Sequence, residues 1–240
     1  DGGVVSWTED NNTVMKVSTQ VKGIKVQAAK NSGHMLYSRK KITVLDLSSL
    51  DTQNVTDMSS MFYGCSGLTS LDLSPLDTQK VMNMRSMFRE CTGLTLLELS
   101  KLDTRNVTNM SGMFRQCSNL KELNISSFNM NNVTEISDVK SSGSYSVGAI
   151  FMNCSSLTYI DMPKTSKIKV ENYSSLFSGC KSLTTIDLTS LDTSIATNMN
   201  YMFNGCSGLT SLDLSPLNTK KVIGMSSMFF GCSELTSLDL

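Results

Sequence analysis

Seven cysteines, at positions 65, 91, 117, 154, 180, 206 and 232, recur along this chain at an almost constant interval. Five of the six gaps are 26 residues and the sixth is 37. A fixed period of this length means that one supersecondary unit is repeated, and a single unit cannot bury its own apolar face. Other residues keep the same period. A phenylalanine stands three before each cysteine (Phe62, Phe88, Phe114, Phe151, Phe177, Phe203, Phe229). A leucine stands three after it, from Leu68 to Leu235, followed by an apolar–polar–apolar run such as Leu71-Asp72-Leu73. The repeats are 42–67, 68–93, 94–119, 120–156, 157–182, 183–208 and 209–234, with 235–240 as a stub. Repeat 120–156 carries eleven extra residues between Ile136 and Ile150, rich in serine and glycine.

Each unit reads as strand, turn, short helix and return. The alternation in Leu71-Asp72-Leu73 marks a strand with one buried face, and Ser-Pro-Leu-Asp-Thr is a turn composition. Val55, Met58, Met61 and Phe62 recur at spacings of three and four, which places them on one helical face. Thr56 is suited to cap that helix, and Gly64 or Gly67 to end it. Stacking joins the strands into a parallel sheet, and eight rungs at ~4.8 Å span roughly 35 Å. Ten of the 16 methionines fall in two columns, 58/84/110/199/225 and 61/87/113/202/228. Methionine fills irregular gaps, as a curved stack requires, so these columns read as core and not as a groove. The fold expected is therefore α/β, a right-handed solenoid of the leucine-rich-repeat kind, with a parallel sheet on one face and short helices or helical turns on the other. The alternative is an all-β solenoid in which the Met-Phe segment is extended. Residues 1–41 read as an N-terminal capping segment and 42–240 as the solenoid. Within the cap, 35–41 is a degenerate half-repeat with Arg39 in the cysteine column, and the Val-rich stretches of 14–26 cover the open edge.

Lys and Arg total 21 and Asp and Glu total 21, so net charge is zero and nothing draws the whole molecule to nucleic acid or an anionic membrane. No stretch approaches the ~20 apolar residues of a membrane span. The chain starts at Asp1 and stops at Leu240 within a motif, as expected of a piece of something longer. For catalysis the sequence offers one histidine, His34, outside the repeats. It has no Gly-x-Ser-x-Gly elbow, phosphate-binding loop or His-Glu-x-x-His. The chain therefore reads as a non-enzyme with no cofactor. One cysteine per rung does not converge on a metal, and in-register thiols point the same way rather than at each other, so the column reads as buried reduced thiols.

Two columns of the outer sheet face offer a binding surface. Asp46, Asp72, Glu98, Asn124, Asp161, Asp187, Asp213 and Asp239 occupy the outward position between the two apolar residues. Stacked carboxylates repel. Neighbouring hydroxyls, screening cations or a basic ligand each account for them. Two residues earlier the outward position varies, and Leu96, Glu122 and Tyr159 differ most from their neighbours in mid-array. The insertion, 137–149, with Tyr145, reads equally as a contact loop or a tolerated bulge. Asp72, Leu96, Glu98, Glu122, Tyr159, Asp161, Asp187, Asp213 and Tyr145 are thus the candidate ligand-binding residues, and no metal ligands are expected.

Units such as Met61-Phe62-Tyr63-Gly64-Cys65-Ser66-Gly67-Leu68-Thr69-Ser70-Leu71-Asp72-Leu73-Ser74 and Asn106-Val107-Thr108-Asn109-Met110-Ser111-Gly112-Met113-Phe114 resemble those of the BspA-like leucine-rich-repeat surface proteins. More narrowly they resemble the 26-residue bacterial surface repeat once catalogued as a domain of unknown function. The resemblance spans about 42–240. It implies an extracellular protein at a bacterial cell surface, often in host-associated species, and an adhesion module recognising a host or cell-surface protein or glycoprotein. It brings no catalytic residues. A passive spacer in a larger surface protein is the alternative, and an open last rung allows end-to-end self-association.

Overall fold

The computed structural model describes residues 5–18, 23–137 and 148–239. Tyr145 and most of the 137–149 insertion lie outside them. Among the described residues there are nine short strands and no helix.

The turn-by-turn stack is set by the Met-Phe side of each repeat, and this is where the structure departs from the helical expectation. Met61, Tyr63 and Cys65 donate their N–H groups three residues back, to the carbonyls of Met58, Ser60 and Phe62 at 3.1–3.2 Å. The intervening N–H groups of Met58, Ser60, Phe62 and Gly64 leave the repeat altogether. They donate to the carbonyls of Asn83, Arg85, Met87 and Arg89 in the next rung at 2.8–2.9 Å. Two residues per rung adopt left-handed backbone, as at Ser60 (φ 55°) and Gly64 (φ 68°), or Ser86 (φ 55°) and Glu90 (φ 60°). Each is the third residue of a tight turn, where positive φ is required, and each interrupts a right-handed helix.

The physical reason is spacing. Phe62 and Phe88 stack with ring centroids 5.5 Å apart, whereas an α-helix is ~10 Å wide. Rungs this close on the Met-Phe side leave no room for a helix in each. Apolar residues at spacings of three and four suit a chain of turns as well as they suit a helix. That side is therefore a ladder of turns, and the α/β expectation with a helical convex face is corrected to a coil of short strands and turns.

The opposite face carries the short strands. β1 (Val5–Glu9) and β2 (Val14–Ser18) form an antiparallel hairpin. β2 then runs parallel to β4 (Val44–Asp46), and β3 (Val26–Gln27) runs parallel to β5 (Leu50–Asp51). Asn31 bridges Asp57 in parallel, so the chain from Val14 onward follows the same path as the repeats. Further along, β6 (Glu122–Asn124) pairs with β7 (Tyr159–Asp161), and β8 (Ser211–Asp213) with β9 (Ser237–Asp239), both parallel and in register. The runs at 71–73 and 97–99 keep the buried–exposed–buried alternation without the strand hydrogen bonds.

The interior is a set of files. From Phe62 to Phe229 the rings stack at 5.5–6.3 Å with planes within 13° of parallel. The widest step, Phe114 to Phe151, crosses the insertion, and the Phe114 N–H still reaches the Ile150 carbonyl at 3.0 Å. The thiols form a second file. Each donates to a carbonyl of the preceding rung at 2.9–3.2 Å, Cys91 to Phe62 and Cys117 to Phe88 for example. All seven cysteines are free, six buried and Cys232 partly so. A third file was not foreseen. Thr52, Thr78, Thr104 and Thr193 are buried. Each hydroxyl accepts the N–H and donates to the carbonyl of one residue in the next rung: Asp77, Asp103, Asn129 and Asn218.

Candidate binding face

The outward acidic column has a structural task. In rung after rung one carboxylate oxygen accepts the N–H two residues ahead: Asp72 from Ser74 at 2.9 Å, Glu98 from Ser100 at 2.8 Å, Asp187 from Thr189 at 2.8 Å and Asp213 from Ser215 at 2.8 Å. Such Asx-type turns close the strand and start the next corner. These hydrogen bonds hold Asp72, Glu98, Asp187 and Asp213 below the usual carboxylate range. Donors fixed on these four acids account for their stacked charge without a ligand, whereas Asp161, followed by Pro163, has no such N–H. Asn124 does the same with Ser126 at 3.0 Å and carries no charge. A parallel column five residues on repeats the device at Asp51, Asp77, Asp103 and Asp192.

Rung 157–182 breaks this regularity. In rung 68–93, Ser74-Pro75 leads to Leu76, which is buried, and then to the Thr78 staple. The same stretch here is Pro163-Lys164-Thr165-Ser166-Lys167, and Thr165, in the leucine slot, is exposed. Ile168 fills the slot instead and bridges Leu191 of the next rung in parallel. Residues 163–167 are left outside the path of the coil as a projecting loop. Its base is tied down. Ser166 Oγ accepts the Met130 N–H at 2.8 Å and donates to the Phe128 carbonyl at 3.1 Å, and Ser190 Oγ donates to the Pro163 carbonyl at 2.8 Å. Tyr173, in the column held by Met58, reaches under the loop. Its hydroxyl lies 2.6 Å from the Ile168 carbonyl and 2.9 Å from that of Asp192, and burial pushes its pKa up.

The loop and the outer face enclose a groove of about 600 Å³. Tyr159, Asp161, Lys164, Lys167, Asp187 and Thr189 are on its walls. Tyr159 is 56% exposed, and Lys164 pairs with Asp161 at 3.2 Å. Of the residues anticipated from sequence, Tyr159, Asp161 and Asp187 therefore come together. Glu122 sits beside Tyr159 in the β6–β7 register, and Leu96 stands outward with 65% of its surface exposed. Asp72, Glu98 and Asp213 lie on other rungs of the same face, away from the groove. Lys164 and Lys167 were not anticipated. The signal for them was the loss of the Ser-Pro-Leu-Asp-Thr corner in this one repeat. Among the described residues no group of three or more His, Cys, Asp or Glu could hold a metal ion, and no helix is long and apolar enough to cross a membrane.

Several solved structures are similar to this chain at low identity. A leucine-rich repeat protein from Bacteroides ovatus is 19% identical with a TM-score of 0.47, over 98% of this chain and 69% of that one. The T. pallidum leucine-rich repeat protein is 15% identical with a TM-score of 0.43, over 97% and 87%. A leucine-rich cell surface protein from Faecalibacterium prausnitzii is 15% identical with a TM-score of 0.28, over 100% and 93%. No curated protein matches significantly. The repeats themselves match the family described as "Mycoplasma protein of unknown function, DUF285" over residues 26–144 and 145–239, and the chain belongs to that family.

Proposed function

We propose that this chain is a non-catalytic protein-interaction module that works at a bacterial cell surface, and that it recognises a host or cell-surface protein or glycoprotein through its outer face. The observation that carries the reading is the groove at Tyr159. It is formed where one rung departs from an otherwise uniform face, and it combines an exposed aromatic ring with charges of both signs. Tyrosine is among the residues that carry most of the energy in protein recognition, and charges of both signs around it add specificity. Leu96 and Glu122 extend the same face toward the start of the array. The coil is taken as right-handed, the sense parallel crossovers adopt. The solenoid is taken to begin near residue 42, with 1–41 as its cap. Association of copies end to end belongs to the same proposal.

The test is binding of the whole chain to a panel of immobilised host-matrix proteins and intact cells, beside two variants. Tyr159→Ala with Lys167→Ala removes the groove's exposed groups. Asp72→Lys with Asp213→Lys reverses charge elsewhere on the face. A partner lost with the first variant and kept with the second supports the groove. A partner insensitive to both places recognition elsewhere and overturns the reading. A passive spacer is the second reading, favoured by the way the regular rungs engage their acids internally, and it predicts no partner on any surface tested.

A further inference from the structure

We propose that the first turn of the coil carries a separate site for a small organic anion, of the class of an acidic sugar. The cause lies in the thiol file. Every later rung fills that column with a cysteine, but the first has Arg39 there, followed by Lys40 and Lys41. A guanidinium cannot replace a buried thiol without a partner, and all three cations stay exposed. They line a cavity of about 470 Å³ between the β1–β2 hairpin and the 38–42 loop. That volume is within the range of small-molecule sites.

The groups lining the cavity are complementary to an anion. Met15 and Ile42, both nearly buried, supply apolar wall. Asn12 lines it too. Its Oδ1 accepts the Thr8 hydroxyl at 2.5 Å, which leaves the amide N–H groups as donors. Among the described residues no carboxylate lines the cavity, and the nearby Glu9 is engaged by Lys16 at 2.9 Å. Among the described residues Arg39, Lys40 and Lys41 make no ion pair. Three adjacent cations repel one another in the free protein, and a bound anion relieves that repulsion. Charged donors beside an apolar wall suit a carboxylate or sulfate on a sugar ring, with arginine favouring planar bidentate contact. The site is independent of the Tyr159 groove, which is built from later rungs.

Calorimetric titration of the intact chain with N-acetylneuraminic acid, glucosamine 6-sulfate, galactose and inorganic phosphate tests the proposal. At least one acidic sugar binds, galactose does not, and phosphate binds more weakly than the sugar. The triple variant Arg39→Ala/Lys40→Ala/Lys41→Ala loses about tenfold or more in affinity, the worth of one or two charge-assisted hydrogen bonds. Asn12→Asp, which puts a carboxylate in the cavity, weakens binding in the same direction. Melting temperatures of both variants confirm that they fold. Binding of neither acidic sugar, equal binding of galactose, equal binding of phosphate, or affinity unchanged in a folded triple variant each overturns it.

Discussion

Replacing Thr78 by valine tests whether side-chain staples, and not only apolar files, hold successive rungs together. The two side chains are nearly the same shape, so the exchange opens no cavity. It removes one hydroxyl that accepts the Asp103 N–H at 2.8 Å and donates to the Asp103 carbonyl at 3.0 Å. Thr78 is only 2% exposed, so water cannot replace the hydroxyl without opening the rung. Leaving a buried donor or acceptor unpaired costs about 1–3 kcal/mol per group. Asp103 is partly exposed and recovers some of this, so the expected loss is roughly 2–3 kcal/mol for the pair. Serine keeps both hydrogen bonds and loses one methyl group, about 0.8 kcal/mol. Stacked repeats unfold through neighbouring units and not always in one step, so exchange of the Asp103 amide hydrogen should be followed beside the urea transition. The valine variant should melt earlier with a deprotected Asp103 amide, and the serine variant should stay close to the parent. Equal stability of parent and valine variants, or a serine variant as weak as valine, refutes the staple.

Three further outcomes follow from the other files. Phe114→Ala, between rings 5.8 and 6.3 Å away, should cost about 3–5 kcal/mol in the urea transition, and a loss under about 1 kcal/mol is incompatible with a continuous core. Burial pushes the thiols of Cys154 and Cys206 up to about 12, from 9.0 for a free thiol. Only unfolded thiols ionise between those values, so this contribution is complete below pH 9.0 and is lost as pH rises toward about 12. Cys154→Ser should lessen the alkaline fall in the denaturation midpoint, and in the native parent iodoacetamide should modify Cys232 first. Hydrogen bonds from Ser194, with the Lys169 ammonium, hold Asp192 down at about 2, against 3.8 when free. The stability it gives is complete above pH 3.8 and is lost as pH falls toward about 2. Asp192→Asn keeps an acceptor oxygen, as Asn218 does toward Lys220, and should flatten the acid limb of a pH titration of melting temperature. An unchanged acid limb contradicts the assignment.

The period of the cysteines made the stack legible before any coordinates. Every rung from 42–67 onward keeps an in-register phenylalanine and thiol, and the outward placing of Asp72, Leu96 and Tyr159 followed from simple alternation. The secondary structure of the Met-Phe segment was not legible. Residues at spacings of three and four satisfy a helix and a chain of tight turns alike, and the choice is made by rung separation, a tertiary quantity. Nor was the threonine file, since Thr52, Thr78 and Thr104 sit in turn-like sequence where a hydroxyl reads as solvent-facing. Their burial depends on the next rung supplying both an N–H and a carbonyl. The first rung was legible only from residue 35, because Val14-Met15-Lys16 has only its valine in common with Val44-Leu45-Asp46 although the two strands pair.

In a stacked array, a residue that recurs in every rung is explained first by what every rung needs. The acids of the outer face illustrate this. Their recurrence looked like a recognition stripe, yet Asp46, Asp72, Glu98, Asp187 and Asp213 carry the same hydrogen bond to the residue two ahead, and Asn124 serves as well as Asp72, whereas Asp161 is followed by Pro163 and pairs with Lys164 instead. Recognition requires one place to differ from the rest. Two places do so within the described residues. One is the rung where Ile168 replaces a leucine slot and releases a loop bearing Lys164 and Lys167. The other is the first turn, where Arg39 stands in a file of thiols. Both departures add exposed charge, on a loop outside the path of the coil in one and in place of a buried thiol in the other, a change that no gain in packing explains. They are therefore the positions at which ligand chemistry is to be sought, ahead of any column that the coil itself already requires.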